Sequence, residues 1–488
     1  MLAALLCAIG LAAPAARVVY EIGPEGVTVR SVTRHELFGA FGAADGALGA
    51  LEVLDGDRVL ARVGLDDPRV RTVITPEGGE VARLDRALGR VDVPWADGAR
   101  LRVGTRFVDP GMAPPPTNTE GVVAVQAAGD PTQRLDLVFL GDGYRAEDMD
   151  VFADDVDRVV AYLASIEPWS RYATLLNVWR VEIPSVASGA SHDELGTVVD
   201  TAFECAYGCG DIDRLICCDE GKVLDAAARV GAYDGVMVLV NDPTYGGSGG
   251  FTYATAYTGL DFGTQVAAHE LGHSLVLLHD EYSYGFSDNF SATGPNCTKE
   301  PEAPQWDQWL GVDGVDAFQE CSYTNHWRPT AEGCMMRTLS DGYCPVCREE
   351  AVLAMYGKIP DIVTSATPSG TVEEGAIIEI ATVIPADDLV FEWTVDGAPI
   401  EGVTGATFDP TCTGVNGEVS VRIVDATPWV REDPQDLLAS SAGPWTVASE
   451  DCAPVVPKVG DCEGCSSVHG AVGWWALALV PWLRRRRA

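Results

Sequence analysis

Lysine is almost missing from this chain. Lys222, Lys299, Lys358 and Lys458 are the only four in 488 residues, and the formal net charge is −39. Without a basic face the protein cannot neutralise a phosphate backbone, which excludes a nucleic-acid partner. The apolar fraction is 47%, ordinary for a folded protein, so the acidic excess reads as a solvated surface rather than disorder. Histidine is scarce too, with seven in all. No internal repeat is evident, and the length suits several domains rather than one core.

Both ends resemble sorting segments. MLAALLCAIGLAAPAA, residues 1–16, is an apolar run closing on small residues, as in a secretory signal cleaved near Ala16. At the far end, Val468 to Leu483 form an apolar run of sixteen residues followed by Arg484 to Arg487. At about 1.5 Å per residue the run reaches roughly 24 Å, a short membrane span stopped by arginines. With the preceding Cys462-Glu463-Gly464-Cys465, residues 456–488 resemble the C-terminal sorting tail of myxobacterial-type surface proteins. The expectation is export to the medium or the cell surface, with membrane contact only through this tail.

Between the ends, three blocks separate. Residues 17–112 alternate apolar and polar positions in short runs and predict a small N-terminal β-sandwich. Residues 113–134 include a Pro-rich hinge. Residues 135–358 alternate buried strands such as LDLVFLGD with helical patterns such as DVFADDVDRVVAYL, which indicates an α/β domain. Residues 359–455 return to short strands around Trp393 and predict an immunoglobulin-like sandwich. Fourteen cysteines suit an exported chain. Cys412 and Cys452 are expected to bridge the last sandwich. Nine more fall between 200 and 350, an odd number that leaves at least one free or cross-paired. Structural disulfides are favoured over a redox or zinc-ribbon role for Cys344 and Cys347, because no second C-x-x-C lies in the same domain.

Three of the seven histidines lie within HELGHSLVLLHDEY, residues 269–282. In H-E-x-x-H on a helix, His269 and His273 project from one face and can grip one Zn²⁺, with Glu270 beside the metal as proton acceptor. Chance alone gives such a motif in this composition on the order of one time in a hundred. A third ligand is needed. His279 stands at the metzincin spacing, but Val276 replaces the glycine that normally turns the chain back. On an unbroken helix His279 would lie about 15 Å along the axis from His269. Asp280 therefore competes with His279. Met335 or Met336 can supply the methionine turn that metzincins pass beneath the metal.

The segments LVFLGDGY (137–144), NVWRVEIPS (177–185), VLVNDPTYGGSGG (238–250), HELGHSLVLLHDEY and CMMR with CPVCRE together resemble the M64 peptidases, also called IgA peptidases. The resemblance implies a zinc peptidase, and its Asp-Glu-Tyr aligns with Asp280-Glu281-Tyr282, which favours Asp280 as third ligand. Both candidates stay open at this point. Tyr282 and His326 are candidate transition-state or cleft residues, His326 being more simply a surface histidine. Tyr245 to Gly250 reads either as a rim that pairs with an extended peptide or as a plain loop. Asp142, Asp288 and Asn289 are candidate Ca²⁺ ligands, without the full loop pattern that ion requires. The expected fold is multidomain: a metzincin-like α/β catalytic domain flanked by an N-terminal β-sandwich and an immunoglobulin-like β-sandwich. The expected function is a secreted or surface-displayed zinc metalloendopeptidase acting on proteins or peptides. The alternative is a surface adhesion or glycan-binding protein with a structural metal site.

Overall fold

Leu135–Asp142 and Gly235–Val240 are buried at every position, as strands covered on both faces must be. They are neighbours in a six-stranded sheet whose order is Val122–Gln126, Leu176–Val181, Leu135–Asp142, Gly235–Val240, Ala254–Tyr257 and Gly247–Ser248. The four inner strands run parallel. Both edge strands are antiparallel to their neighbours. In the computed structural model the described residues are 13–450, apart from 38–47, 66, 76–77, 97, 109–111, 114–117, 193–194, 232, 251, 260–261, 288–293, 340, 374 and 434–435.

The helices Met149–Leu163, Glu220–Ala227, Gly263–Val276 and Pro345–Tyr356 belong to this central part. Met149–Leu163 buries Phe152, Val156, Val159 and Leu163, a stripe at three- and four-residue spacing that turns one face inward. Val122–Gln126 lies in the stretch expected as a linker, yet it pairs with Leu176–Val181 and forms the outer edge of the sheet.

The flanking regions are β-rich. Before the central sheet, one four-stranded sheet holds Ala13–Gly23, Gly26–Leu37, Ala87–Pro94 and Met112–Ala113. A second holds Ala50–Asp55, Arg58–Gly64, Arg100–Val103 and Arg106–Val108. Val18, Val53, Val93 and Leu101 share one core between them. After it come a three-stranded and a five-stranded sheet, which meet through Trp393 on Val390–Val395 and Phe408 on Thr407–Phe408, ring centroids 5.6 Å apart. Asp425 ties this last region to the central one: Tyr172 and Tyr356 both donate to its Oδ2, at 2.6 and 2.8 Å, and Arg171 donates to Oδ1.

Among the described residues three disulfides have both partners, Cys205–Cys218, Cys209–Cys217 and Cys297–Cys321. The expected disulfide role for Cys344 and Cys347 does not hold: they stay free with Cys334, and all three are buried. Cys412 is disulfide-bonded, and its expected partner Cys452 lies outside the described residues, as does the tail 456–488. The strand Ala13–Gly23 crosses the expected cleavage point at Ala16, with Ala15 and Ala16 opposite Pro94 and Val93. A cut there removes the strand's first residues and leaves Arg17–Gly23 paired; residues 1–12 lie outside the described set. None of the described helices is long and apolar enough to cross a membrane.

Candidate metal centre

The helix Gly263–Val276 packs on the strand Ala254–Tyr257 and buries eleven of its fourteen residues, among them His269, Glu270 and His273. Four residues separate the two histidines, so their rings leave the helix on the same side. Each ring is fixed from behind. Nδ1 of His269 donates to the Met335 carbonyl at 3.0 Å, and Nδ1 of His273 donates to the Leu278 carbonyl at 2.6 Å. A carbonyl only accepts, so both Nδ1 atoms carry the hydrogen and both Nε2 lone pairs face forward.

Those two Nε2 atoms lie 3.1 Å apart, and each lies 3.1 Å from Oδ1 of Asp280. Three acceptors at such separations repel one another unless a cation or a proton sits among them. Without a metal, a proton takes that part: burial lowers the His273 pKa, but the Asp280 carboxylate more than compensates and pulls it up to about 9. Burial alone would raise Asp280, yet His273 and His269 hold it well below the usual carboxylate range. Ligands about 2.0–2.1 Å from one tetrahedral ion stand roughly 3.3 Å from each other. The donor set therefore fits a divalent cation such as Zn²⁺, with a side left open.

How the chain delivers Asp280 answers the question raised by Val276. The helix continues through Val276, and Leu277 itself adopts the left-handed conformation, φ 65° and ψ 28°. The N–H of Leu277 then bonds back to the His273 carbonyl, the closure of an αL-type helix end, and the N–H of Leu278 reaches the Gly272 carbonyl. A leucine does here what glycine usually does, at a cost of about 1 kcal/mol. The reversal carries Asp280 to the two rings. His279 does not join them. Its backbone N–H donates to Asn296 Oδ1, and its ring lies against Gly294, where a Cβ would overlap it. Burial pushes the His279 pKa down to about 4.

Residues that sequence reasoning missed secure Asp280. Tyr284 donates its hydroxyl to Oδ2 at 2.7 Å, Ser322 donates to the Asp280 carbonyl, and Cys297–Cys321 closes beside it. Tyr284 stands outside any helical or strand period, so no sequence pattern marks it. Met335 and Met336 are fully buried. Met335 holds His269, and the Met336 sulfur packs against Gly272. Tyr282 lies nearly parallel to His269 with centroids 6.5 Å apart. His326, expected on the surface, is fully buried on the strand Tyr323–Thr330 and meets Tyr323 edge-on. Asp142 accepts the backbone N–H groups of Phe203 and Cys205, so its oxygens are engaged by the chain. Asp288 and Asn289 lie outside the described residues.

Glu270 is the exception to this saturation: it is wholly buried, and neither carboxylate oxygen has a hydrogen-bond partner. Burial raises its pKa well above the usual range. The glycine run explains itself at this point. It forms no loose loop; Gly247–Ser248 is a short edge strand, and a Cβ at Gly249 would overlap the Glu270 carboxylate. Over this edge lies the antiparallel pair Val70–Thr75 and Gly78–Arg83. Thr72 bridges to Gly249 in antiparallel fashion, Tyr245 donates to the Ile74 carbonyl, and a Cβ at Gly79 would overlap the Tyr282 ring. The N-terminal region thus covers the centre.

Compared with proteins of curated function, the chain matches none. Residues 123–316, which carry His269, Glu270, His273 and Asp280 and stop short of the methionine turn, match the model of the family described as IgA Peptidase M64.

Proposed function

We propose that the protein is an exported zinc metalloendopeptidase in which His269, His273 and Asp280 hold the ion and Glu270 is the general base. The observation that carries this reading is the convergence of three buried acceptors beside a buried carboxylate that has no partner of its own. A purely structural site would not need Glu270, which argues against the adhesion alternative. When bound, Zn²⁺ lowers the pKa of a coordinated water to about 7 and polarises the scissile carbonyl. Glu270 takes the proton from that water and delivers it to the leaving amine. Its dry surroundings favour the neutral, protonated form that Glu270 has after accepting the proton, and Glu270 then passes that proton on in the second half of the relay. Met335 and Leu278 keep both imidazoles in the ligating tautomer, and Tyr284 holds Asp280 in place.

An extended peptide finds its backbone partners on the edge strand Gly247–Ser248 by β-augmentation. Val70–Thr75 already lies along that edge, so the N-terminal region must shift before a substrate strand can enter. Export is supported by the apolar leader and by the disulfides, which persist in oxidising compartments. The substrates are proteins or peptides. The test incubates the full chain with a mixed peptide library and sequences the products, beside Glu270→Gln. Zinc-dependent cleavage that the variant loses supports the reading; cleavage that survives in Glu270→Gln overturns it.

A further inference from the structure

Behind the His centre lies a second buried group that the peptidase reading does not use. Cys334, Cys344 and Cys347 are free thiols, at most 2% exposed. Together with Glu281 they offer four ligand atoms that all lie within 4.8 Å of one another. Sγ of Cys334 and Cys347 are 3.7 Å apart, and Oε1 of Glu281 lies 3.1 Å from Cys347 Sγ and 3.7 Å from Cys344 Sγ. A disulfide requires about 2.05 Å between sulfurs. A tetrahedral zinc with Zn–S near 2.3 Å and Zn–O near 2.0 Å sets sulfur–sulfur edges of about 3.8 Å and sulfur–oxygen edges of about 3.5 Å. The observed sulfur–sulfur separation of 3.7 Å and sulfur–oxygen separations of 3.1 and 3.7 Å lie near those edges.

Two other roles fit worse. Three thiols cannot all pair off, and a disulfide between any two strands the third next to a buried carboxylate. A redox C-x-x-C must meet its partner at the surface, whereas Cys344 and Cys347 are enclosed. Glu281 is completely buried and its Oε2 has no hydrogen-bond partner, an expensive arrangement unless a cation sits beside it. Asn296 donates to Oε1 and orients the carboxylate. Arg328 lies within electrostatic reach of Glu281 and offsets part of the negative charge.

We propose that Cys334, Cys344, Cys347 and Glu281 bind a second zinc ion, with all four positions filled by protein and a structural role. Thiolates select a soft or borderline metal, and the hard carboxylate favours Zn²⁺ over Cu⁺. Each ligating thiol gives up its proton to solvent as the ion binds. The ion joins three segments remote in sequence: the stretch after the motif helix through Glu281, the methionine turn through Cys334, and the start of the helix Pro345–Tyr356 through Cys344 and Cys347. Glu281 directly follows Asp280, and its N–H donates to the Met336 carbonyl. Cys334 directly precedes Met335, which holds His269. The second ion therefore fixes the backbone that positions two of the three groups of the His centre.

The experiment counts metal in the full chain by mass spectrometry and records the cobalt-substituted protein. The expected result is two zinc ions per chain, falling to one in Cys347→Ser and in Cys334→Ser. His269→Ala keeps one ion, and its cobalt form keeps the sulfur-to-cobalt charge-transfer band in the near ultraviolet. If the cysteine variants fail to fold, that band in the wild type and in His269→Ala decides the matter without them. A single zinc that disappears in His269→Ala, a cobalt form without the sulfur band, or a Cys344–Cys347 disulfide in the isolated chain overturns the proposal. Because the band is read in a chain whose His centre is broken, failure of the catalytic reading leaves this test intact.

Discussion

Two buried ligand clusters lie back to back, and consecutive residues feed them: Asp280 faces the histidines, Glu281 the cysteines. Their difference teaches how composition decides use. The first has two imidazoles and one carboxylate, three donors that leave a tetrahedral position over, and Glu270 beside it without a partner. The second has three thiols and a carboxylate, four donors, the number that fills a tetrahedral ion. An open three-ligand site can activate water, while a closed four-ligand site with sulfur serves folding.

The comparison breaks most visibly at Glu270. Glu270→Gln is expected to lower kcat on the order of 10²–10⁴-fold, the usual contribution of general acid–base catalysis, at unchanged metal content. Next come the ligands. Asp280→Ala should lose the ion of the His centre, while His279→Ala should retain it, since its ring points elsewhere. Metal analysis after dialysis, with folding followed by circular dichroism, decides; zinc lost only from the His279 variant reverses the assignment. Tyr284→Phe removes the bond to Asp280 and should weaken binding at that centre about 10–100-fold, measured by competition with a chromophoric chelator.

A smaller effect tests the cover. Gly79→Val forces the Val70–Arg83 pair away from Tyr282, and about 1.4 kcal/mol of lost docking would raise kcat/KM about tenfold. Unchanged initial rates in a folded variant mean that the N-terminal region does not limit access. Smallest is the helix end. Leu277→Gly relieves the left-handed leucine and should add about 1 kcal/mol, a rise in Tm of about 2–4 °C by calorimetry, without altering metal content. No rise, or a fall, shows that the exposed Leu277 side chain is itself stabilising.

Much of the central region is legible in the amino-acid order. The alternation of apolar strands with helical stripes foretells the central sheet, because burial on both faces leaves runs such as LDLVFLGD. The H-E-x-x-H pair is legible because four-residue spacing is a local property of the helix. The glycine run is ambiguous in sequence: only its contact with Glu270 shows why side chains are excluded there. His326 is misplaced by a sequence reading because a lone histidine carries no signal of burial, and Tyr284 escapes it because irregular chain has no period to read.

The sequence by itself determined the helix, the shared face of His269 and His273, the placing of Glu270 beside them, and the supply of cysteines. These depend on neighbours in the chain, whose geometry the helix sets. The tertiary structure alone decided that Leu277 reverses the chain, that Asp280 rather than His279 comes to the rings, that Cys334, Cys344 and Cys347 escape disulfide pairing, and that the N-terminal strands lie over the edge of the central sheet. The turn at Leu277 closes on neighbouring residues, but no spacing marks a leucine for the left-handed conformation; the other outcomes rest on contacts between segments far apart along the chain, selected by packing and by the satisfaction of buried polar groups.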